Sequence, residues 1–530
     1  MPEVDPPEFK VVLERLRVLE AELAATKTEL ATTKAELARK DQIIEALQHR
    51  LFGSKSERLD PAQLQLMLDE LALGKPAAAP ETGGDESALE EPEKAKGARR
   101  RRKKTDLYPQ NLKVVIAEVI VPEEVAANPE DFVEISEEHH DELEVVRAQL
   151  YWRRTVRKKF KSKTDRSLPP LVAPAPEPTL PGTLCGASLA AQIVVDKFCD
   201  HLPYYRQSGR FLRRHEAQIG RQTLGGWAHA VAAHLTPIGE AIKAELFEAS
   251  CLEVDETPID YLCPGHGRTK QGYLWVYLDA LKGTVYYDWQ LGRGHDCLLE
   301  ILGIDEESGM TRFRGTIQCD GFSAYQALVA RYGGIKLAGC LAHIRRKFFE
   351  AQKQRPEVVL PILLAIQQLY RIEQELREIQ APPDCRKLVR LVRSGPIVEE
   401  LHKLILKERT AHLPKSKLGE ALSYALGQWE EFCAYLRDGE LEIDNNLVEN
   451  AIRPTKLGLK NYLFFGSAKA GVNNALLYTL IENCKLQDLD PELYLEEVIR
   501  QLPANPTPEQ AAELTPRRFA ARLRQAADAA

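Results

Sequence analysis

Apolar residues recur every seven positions near the start of the chain, at Leu16, Leu23, Leu30, Leu37, Ile44 and Leu51. That period predicts a coiled coil over residues 9–52. With these residues at position a, the d positions are Leu19, Thr26, Thr33, Lys40 and Leu47. Glu22 and Glu29 then fall at g, and Lys27 and Lys34 at the following e, which suits pairing in a parallel dimer. A single amphipathic helix folded onto its own chain is the other reading. Residues 53–106 begin as a helical segment. From residue 74 they turn into a linker rich in Ala, Pro, Gly, Glu and Lys that ends in a basic run at 99–104.

The period changes further on. Alternation in Leu112–Val121 and Leu150–Val156 predicts a small β-rich module over 107–165. Proline-rich residues 166–182 follow. Residues 183–245 have helical spacing, broken at Pro203, and Ile219–Gly220 precedes a second helix. Arg221 and Thr223 would start that helix, where a helix-turn-helix points side chains at DNA; a plain helical hairpin fits the spacing equally. Between 250 and 345 the period is again two. Strands are expected at 251–255, 272–281, 284–291, 315–319 and 336–340, with short helices at 296–302 and 322–332, giving a mixed sheet covered by helices. A helical insertion over 344–437 divides this core, 250–343, from its second part, 438–470. A helical region over 471–530 closes the chain. The fold class expected is multidomain α+β.

Composition changes this picture little. The chain has 530 residues and 44% hydrophobic content, enough for several domains. No stretch of about 18 apolar residues predicts a membrane span. The acidic, proline-rich first residues are not expected to be a secretory signal. The 10 cysteines are scattered without a Cys-x-x-Cys pair, which suggests reduced thiols. Net charge is −7, yet cations cluster around Arg153 and Arg154 as well as at 99–104. Local patches, not net charge, set phosphate binding.

Three carboxylates carry the candidate chemistry. Asp255 and Asp320 are expected at strand ends, and Glu449 on a helix. Arg453 and Lys456 follow Glu449 by one and two turns, so one helix face holds an acid and two phosphate-binding cations. Phosphodiester chemistry needs an activated oxygen and charge stabilisation, which two metal ions about 3.5–4 Å apart supply. Hard cations such as Mg²⁺ prefer oxygen ligands. Glu256, Asp260, Asp279 and Asp444 compete for these roles, and Asp444 is expected to cap the Glu449 helix. His343 would lie near the bound phosphate, with Arg345, Arg346 and Lys347 on the DNA backbone. A buried, hydrogen-bonded histidine is the other reading of His343.

Several motifs together resemble the insertion sequence 66 family of DDE-type transposases. They are Leu51–Arg58, His201–Arg206, Val254–Pro258, Cys319–Tyr325, Cys340–Phe348, Ile443–Pro454 and Asn461–Ser467. The resemblance implies a ribonuclease-H-like core with Asp255, Asp320 and Glu449 as a triad holding two Mg²⁺ or Mn²⁺ ions. It implies cleavage of double-stranded DNA at element ends, joining of the freed 3′-hydroxyl to target DNA, and small accessory proteins as partners. It also implies a bacterial, cytoplasmic and nucleoid-associated protein. Relatives carry paired cysteines after the coiled coil, but residues 107–165 contain none, so zinc is not expected there. Two other functions fit the residues: an inactive coiled-coil DNA-binding protein, and a nuclease that cuts without joining.

Overall fold

The computed structural model describes residues 129–131, 148–160 and 171–528. The expected coiled coil at 9–52, the linker at 53–106 and most of the 107–165 module lie outside them. The chain divides into two compact units, 1–147 and 148–530. In the first, the described residues form a single 3-10 turn, Pro129–Asp131.

The second unit opens with an exposed segment at 148–158 that has no regular secondary structure. Among the described residues no strand forms over Leu150–Val156. Tyr151 and Trp152 are both exposed, so the alternation sorts no face into a core. Pairing is instead between β1 (Lys159–Phe160) and β2 (Leu171–Val172). Three helices follow: α1 (Ala187–Phe198), α2 (Tyr204–His215) and α3 (Arg221–Leu246). Pro203 stands at the N-cap of α2, and Glu216, with φ 54°, ends that helix in the left-handed region.

The five-stranded sheet is built from β3 (Cys251–Leu262), β4 (Thr269–Asp279), β5 (Thr284–Gln290), β6 (Thr316–Gln318) and β7 (Lys336–Ala338). Its spatial order is β5-β4-β3-β6-β7. β3, β4 and β5 form an antiparallel meander, while β6 and β7 run parallel to β3. Helices α4 (Asp296–Leu302) and α5 (Ser323–Arg331) make the crossovers. β4 is buried on both faces: Leu274, Val276 and Leu278 join one core, Trp275 and Tyr277 the other. Period two thus survives in burial even where both faces are apolar.

β3 is longer than expected. Its pairing with β4 continues to Leu262, opposite Thr269. Pro258 does not end it, because an antiparallel residue points its N–H and C=O to the same side. The Pro258 carbonyl accepts from Lys456 Nζ, at 3.0 Å. The missing N–H therefore falls on the edge beyond β6, where no ladder bond is lost.

The helical insertion comprises α6 (Leu341–Ala351), α7 (Pro356–Glu378), α8 (Pro383–Val389), a π-helical segment at Arg390–Ser394, α9 (Gly395–Ala411), α10 (Lys417–Gly427) and α11 (Trp429–Arg437). It has its own core, which reaches the sheet through Cys251 and Ala338. The chain then returns in α12 (Asn446–Tyr462), α13 (Ala468–Leu486), α14 (Pro491–Gln501), α15 (Pro508–Glu513) and α16 (Pro516–Asp528). α13 lies against β5, where Asn483 and Thr479 bond the strand backbone. No helix among the described residues is long and apolar enough to cross a membrane.

Candidate active site

Asp255 is the fifth residue of β3, not its end. β6 pairs only with Cys251–Glu253, so Asp255 stands just past the point where the parallel ladder stops. Continuing that register by two residues brings Asp320, two beyond β6, beside Asp255. Asp320 Oδ1 accepts the Phe322 N–H at 3.0 Å at the start of α5, which fixes the carboxylate at the strand-to-helix turn. Gly321 lies under Gln428: a Cβ there would meet its side chain at 2.6 Å. The Gly321 N–H also donates to Tyr424 Oη at 3.4 Å.

Glu449 sits in the first turn of α12. His343 Nε2 and Arg346 Nη2, both from α6, lie 3.8 and 3.7 Å from its two carboxylate oxygens. Glu449 Oε1 is buried and accepts no hydrogen bond among the described residues. Burial, with the charges of Glu256, Asp320 and Glu449, pushes Asp255 up to about 7. The three expected carboxylates therefore feel one another across three separate elements. As they stand, no three His, Cys, Asp or Glu side chains among the described residues are drawn together tightly enough to enclose an ion. The three still offer oxygen donors only, one of them unmatched, and that chemistry fits a hard divalent cation.

Neighbouring acids are accounted for differently. Glu256 points to the opposite face of β3, as strand alternation requires, where Arg293 and Tyr325 donate to it. Arg293 also covers the Phe322 ring at 3.9 Å. Asp444 accepts the Asn446 N–H at 3.1 Å and the Tyr370 hydroxyl at 2.6 Å. It thus holds the start of α12 from one residue before the N-cap, Asn445, whose own side chain makes no cap bond.

His343 is largely buried, and burial lowers its pKa. Among the described residues its Nδ1 has no hydrogen-bond partner. Lys456 is held near Asp255 through Pro258, and Arg453 is exposed on the same face. Arg345 is half-buried on α6, and Lys347 reaches the Tyr424 ring at 5.8 Å. Arg221 and Thr223 are exposed on the first turn of α3. Arg153 and Arg154 are exposed in the irregular segment at 148–158, and among the described residues they make no contact with the carboxylates.

The residues that hold Glu449 in place were not singled out in the sequence. Glu253, two before Asp255 on the same face of β3, accepts the Val448 N–H at 3.1 Å. A strand carboxylate thereby caps α12 from across the site. Burial pushes Glu253 up to about 8. Gln318 donates to the carbonyls of Gly339 and Glu442, and Cys340 Sγ accepts the Asn445 N–H at 3.4 Å. In the insertion, Arg377 and Arg386 bind Glu442. Arg390 pairs with Glu373 through two bonds and donates to the carbonyls of Tyr435 and Asp438. The one sequence signal was Glu253 itself, a carboxylate between Leu252 and Val254 in an apolar strand.

Comparison with known proteins places this geometry. Residues 182–473 match the family model described as Transposase IS66 family, and 479–516 match the IS66 C-terminal element. Residues 39–116 match a model described as Transposase C of IS166 homeodomain. The chain is 31% identical over 509 residues to the uncharacterized protein y4qI of Sinorhizobium fredii, covering 92% of this chain and 90% of that one. It is also 31% identical over 481 residues to y4jD of the same organism, covering 87% and 90%. The first match takes in β3, β6, α6 and α12, every element that supplies a residue to the carboxylate cluster, and on that ground the chain belongs to the IS66 transposase family.

Proposed function

We propose that this protein is a DNA transposase that cuts the ends of an insertion sequence and joins the freed 3′-hydroxyl to target DNA. The reading is supported by the β3–β6 register, which carried on by two residues sets Asp320 beside Asp255, and by the charges of Asp320 and Glu449 that Asp255 feels. The sheet supports it too: an antiparallel three-strand meander with two parallel strands added beside β3 is the order a ribonuclease-H-like core requires. Asp255, Asp320 and Glu449 would hold two Mg²⁺ or Mn²⁺ ions. Bound there, the ions would supply an activated oxygen and charge stabilisation at phosphorus.

The remaining roles belong to the protein's own groups. Lys456 and Arg453 present cations for the non-bridging phosphate oxygens. His343 and Arg346 flank Glu449 and favour its charged form. The IS166 homeodomain match over 39–116 and the exposed start of α3 support contacts with duplex DNA outside the catalytic centre. The heptads at 9–52 would pair subunits.

Purified protein with Mg²⁺ and a DNA fragment carrying an element end is expected to cut the strand. Asp255→Asn, Asp320→Asn and Glu449→Gln should each lower cleavage by a thousandfold or more, on the order of 4 kcal/mol of transition-state stabilisation, while DNA still binds. Wild-type cleavage by any of the three would remove that residue from the triad. Supplying a pre-cut end and target DNA separates a transposase from a nuclease, since only the former yields joined product.

A further inference from the structure

The exposed face of α12 carries more than the two cations beside the carboxylates. Glu449, Arg453, Lys456 and Lys460 fall at spacings of four, three and four residues, which sets them in one stripe along the helix. From Glu449 to Lys460 the stripe rises roughly 16 Å. Beyond Glu449 the whole of α12 contains no acid on any face. Arg453 and Lys460 are exposed and make no ion pair among the described residues.

At the end of α12 a second helix takes over. Arg206 of α2 donates from Nη1 to Asn461 Oδ1 at 3.1 Å, on the surface. This places an exposed guanidinium at the last turn of α12, against the residue that follows Lys460 in the chain. Arg213 and Arg214 follow in the last turn of α2 and are exposed. Arg210, between Arg206 and that turn, is different: it is committed to the buried Asp196. The exposed start of α3 with Arg221 comes next in the chain. Cations without acidic partners, in a line that begins at a carboxylate cluster, suit a polyanion with regularly spaced charges. Nucleic-acid backbone has one phosphate per roughly 3.4 Å along each strand, so the stripe spans about five phosphates.

We propose that Lys460 and Arg206 continue the phosphate-binding stripe begun by Arg453 and Lys456, so that a DNA duplex seated at the carboxylates runs along α12 onto α2. This rests on the transposase reading and adds to it the direction in which DNA leaves the site. The α2–α3 helices then form the far end of one continuous surface with the catalytic centre.

The test uses the full chain, no divalent metal, and a random-sequence DNA duplex of about 30 base pairs, with binding followed by fluorescence anisotropy across a salt series. Lys460→Gln and Arg206→Gln remove charge from exposed positions, and glutamine at 206 keeps a donor for Asn461. Each should reduce the slope of log K against log salt by about 0.9, and the pair by about two. Affinity at low salt should fall by roughly tenfold for the pair. Lys403→Gln and Arg500→Gln, on α9 and α14, should leave the slope at its wild-type value. An unchanged slope for the pair, or an equal fall for the two controls, would overturn the proposal. Because no chemistry is read, either result leaves the cleavage test of Asp255, Asp320 and Glu449 standing by itself. Conversely, cleavage-competent triad variants would leave the slope measurement intact.

Discussion

Asp255 is where burial and charge oppose each other most directly. It lies among Glu256, Asp320 and Glu449, and it holds its proton up to about pH 7. A carboxyl whose pKa is raised on folding favours the native state less as pH rises. Below its ordinary value of 3.8 it is protonated in both folded and unfolded chains and costs nothing. Between that value and about 7 the penalty grows, and above 7 it is fully present, at about 4 kcal/mol. In metal-free buffer, Asp255→Asn should therefore raise Tm at about pH 8, with the gain shrinking toward zero near pH 4. A pH-independent Tm difference would show that the Asp255 charge is not strained. Glu256, its sequence neighbour, is raised by burial as well, but Arg293 and Tyr325 both donate to it and offset part of that cost. Strand alternation alone separates the two acids, and the structure adds what each one faces.

At the scale of elements, α12 is held by partners that come from far along the chain. Its N-terminal amides are taken by Glu253 from β3 and by Asp444. The segment before it is tied to Gln318, Cys340, Arg377, Arg386 and Arg390. The helical insertion is thus the mould for the loop that delivers Glu449. Arg390 and Glu373 are both fully buried. Arg390→Met would leave the Glu373 carboxylate with only the Arg386 guanidinium, at 3.6 Å. It should cost about 3 kcal/mol in unfolding experiments. A cost under about 1 kcal/mol would place that pair in contact with water. Glu253→Leu removes a cap at a cost of about 1 kcal/mol and should speed amide exchange over residues 446–450. Glu253→Gln keeps an acceptor and should restore protection; equal exchange in the two variants would deny Glu253 its capping role.

For the whole molecule, subunit pairing is read from its mass in solution. Deleting residues 9–52 should lower the mass measured by light scattering by about half if the heptads make a dimer. An unchanged mass would assign those residues to a helix packed on its own chain. Elements with strong local periods were legible from the start. The meander, the α4 and α5 crossovers, the break at Pro203 and the helical insertion all stand near their expected positions. The β3 boundary was not legible: the strand expected over 251–255 runs on to Leu262, since Pro258 sits where its missing N–H costs no ladder bond. Over Leu150–Val156 the alternation forms no strand among the described residues, and most of the 107–165 module lies outside them.

The sequence alone determined which residue types occur at which spacing: two aspartates in apolar strand-like runs, and a glutamate followed by cations on one helix face. Such patterns are local, and hydrophobic periodicity and helical geometry are enough to read them. Only the tertiary structure decided that β6 stops beside Asp255, that Glu253 reaches Val448, and that Arg206 meets Asn461. The first depends on where a neighbouring strand ends, and the other two join residues 195 and 255 positions apart. Their energies come from burial and pairing in three dimensions, to which no single stretch of chain holds the key.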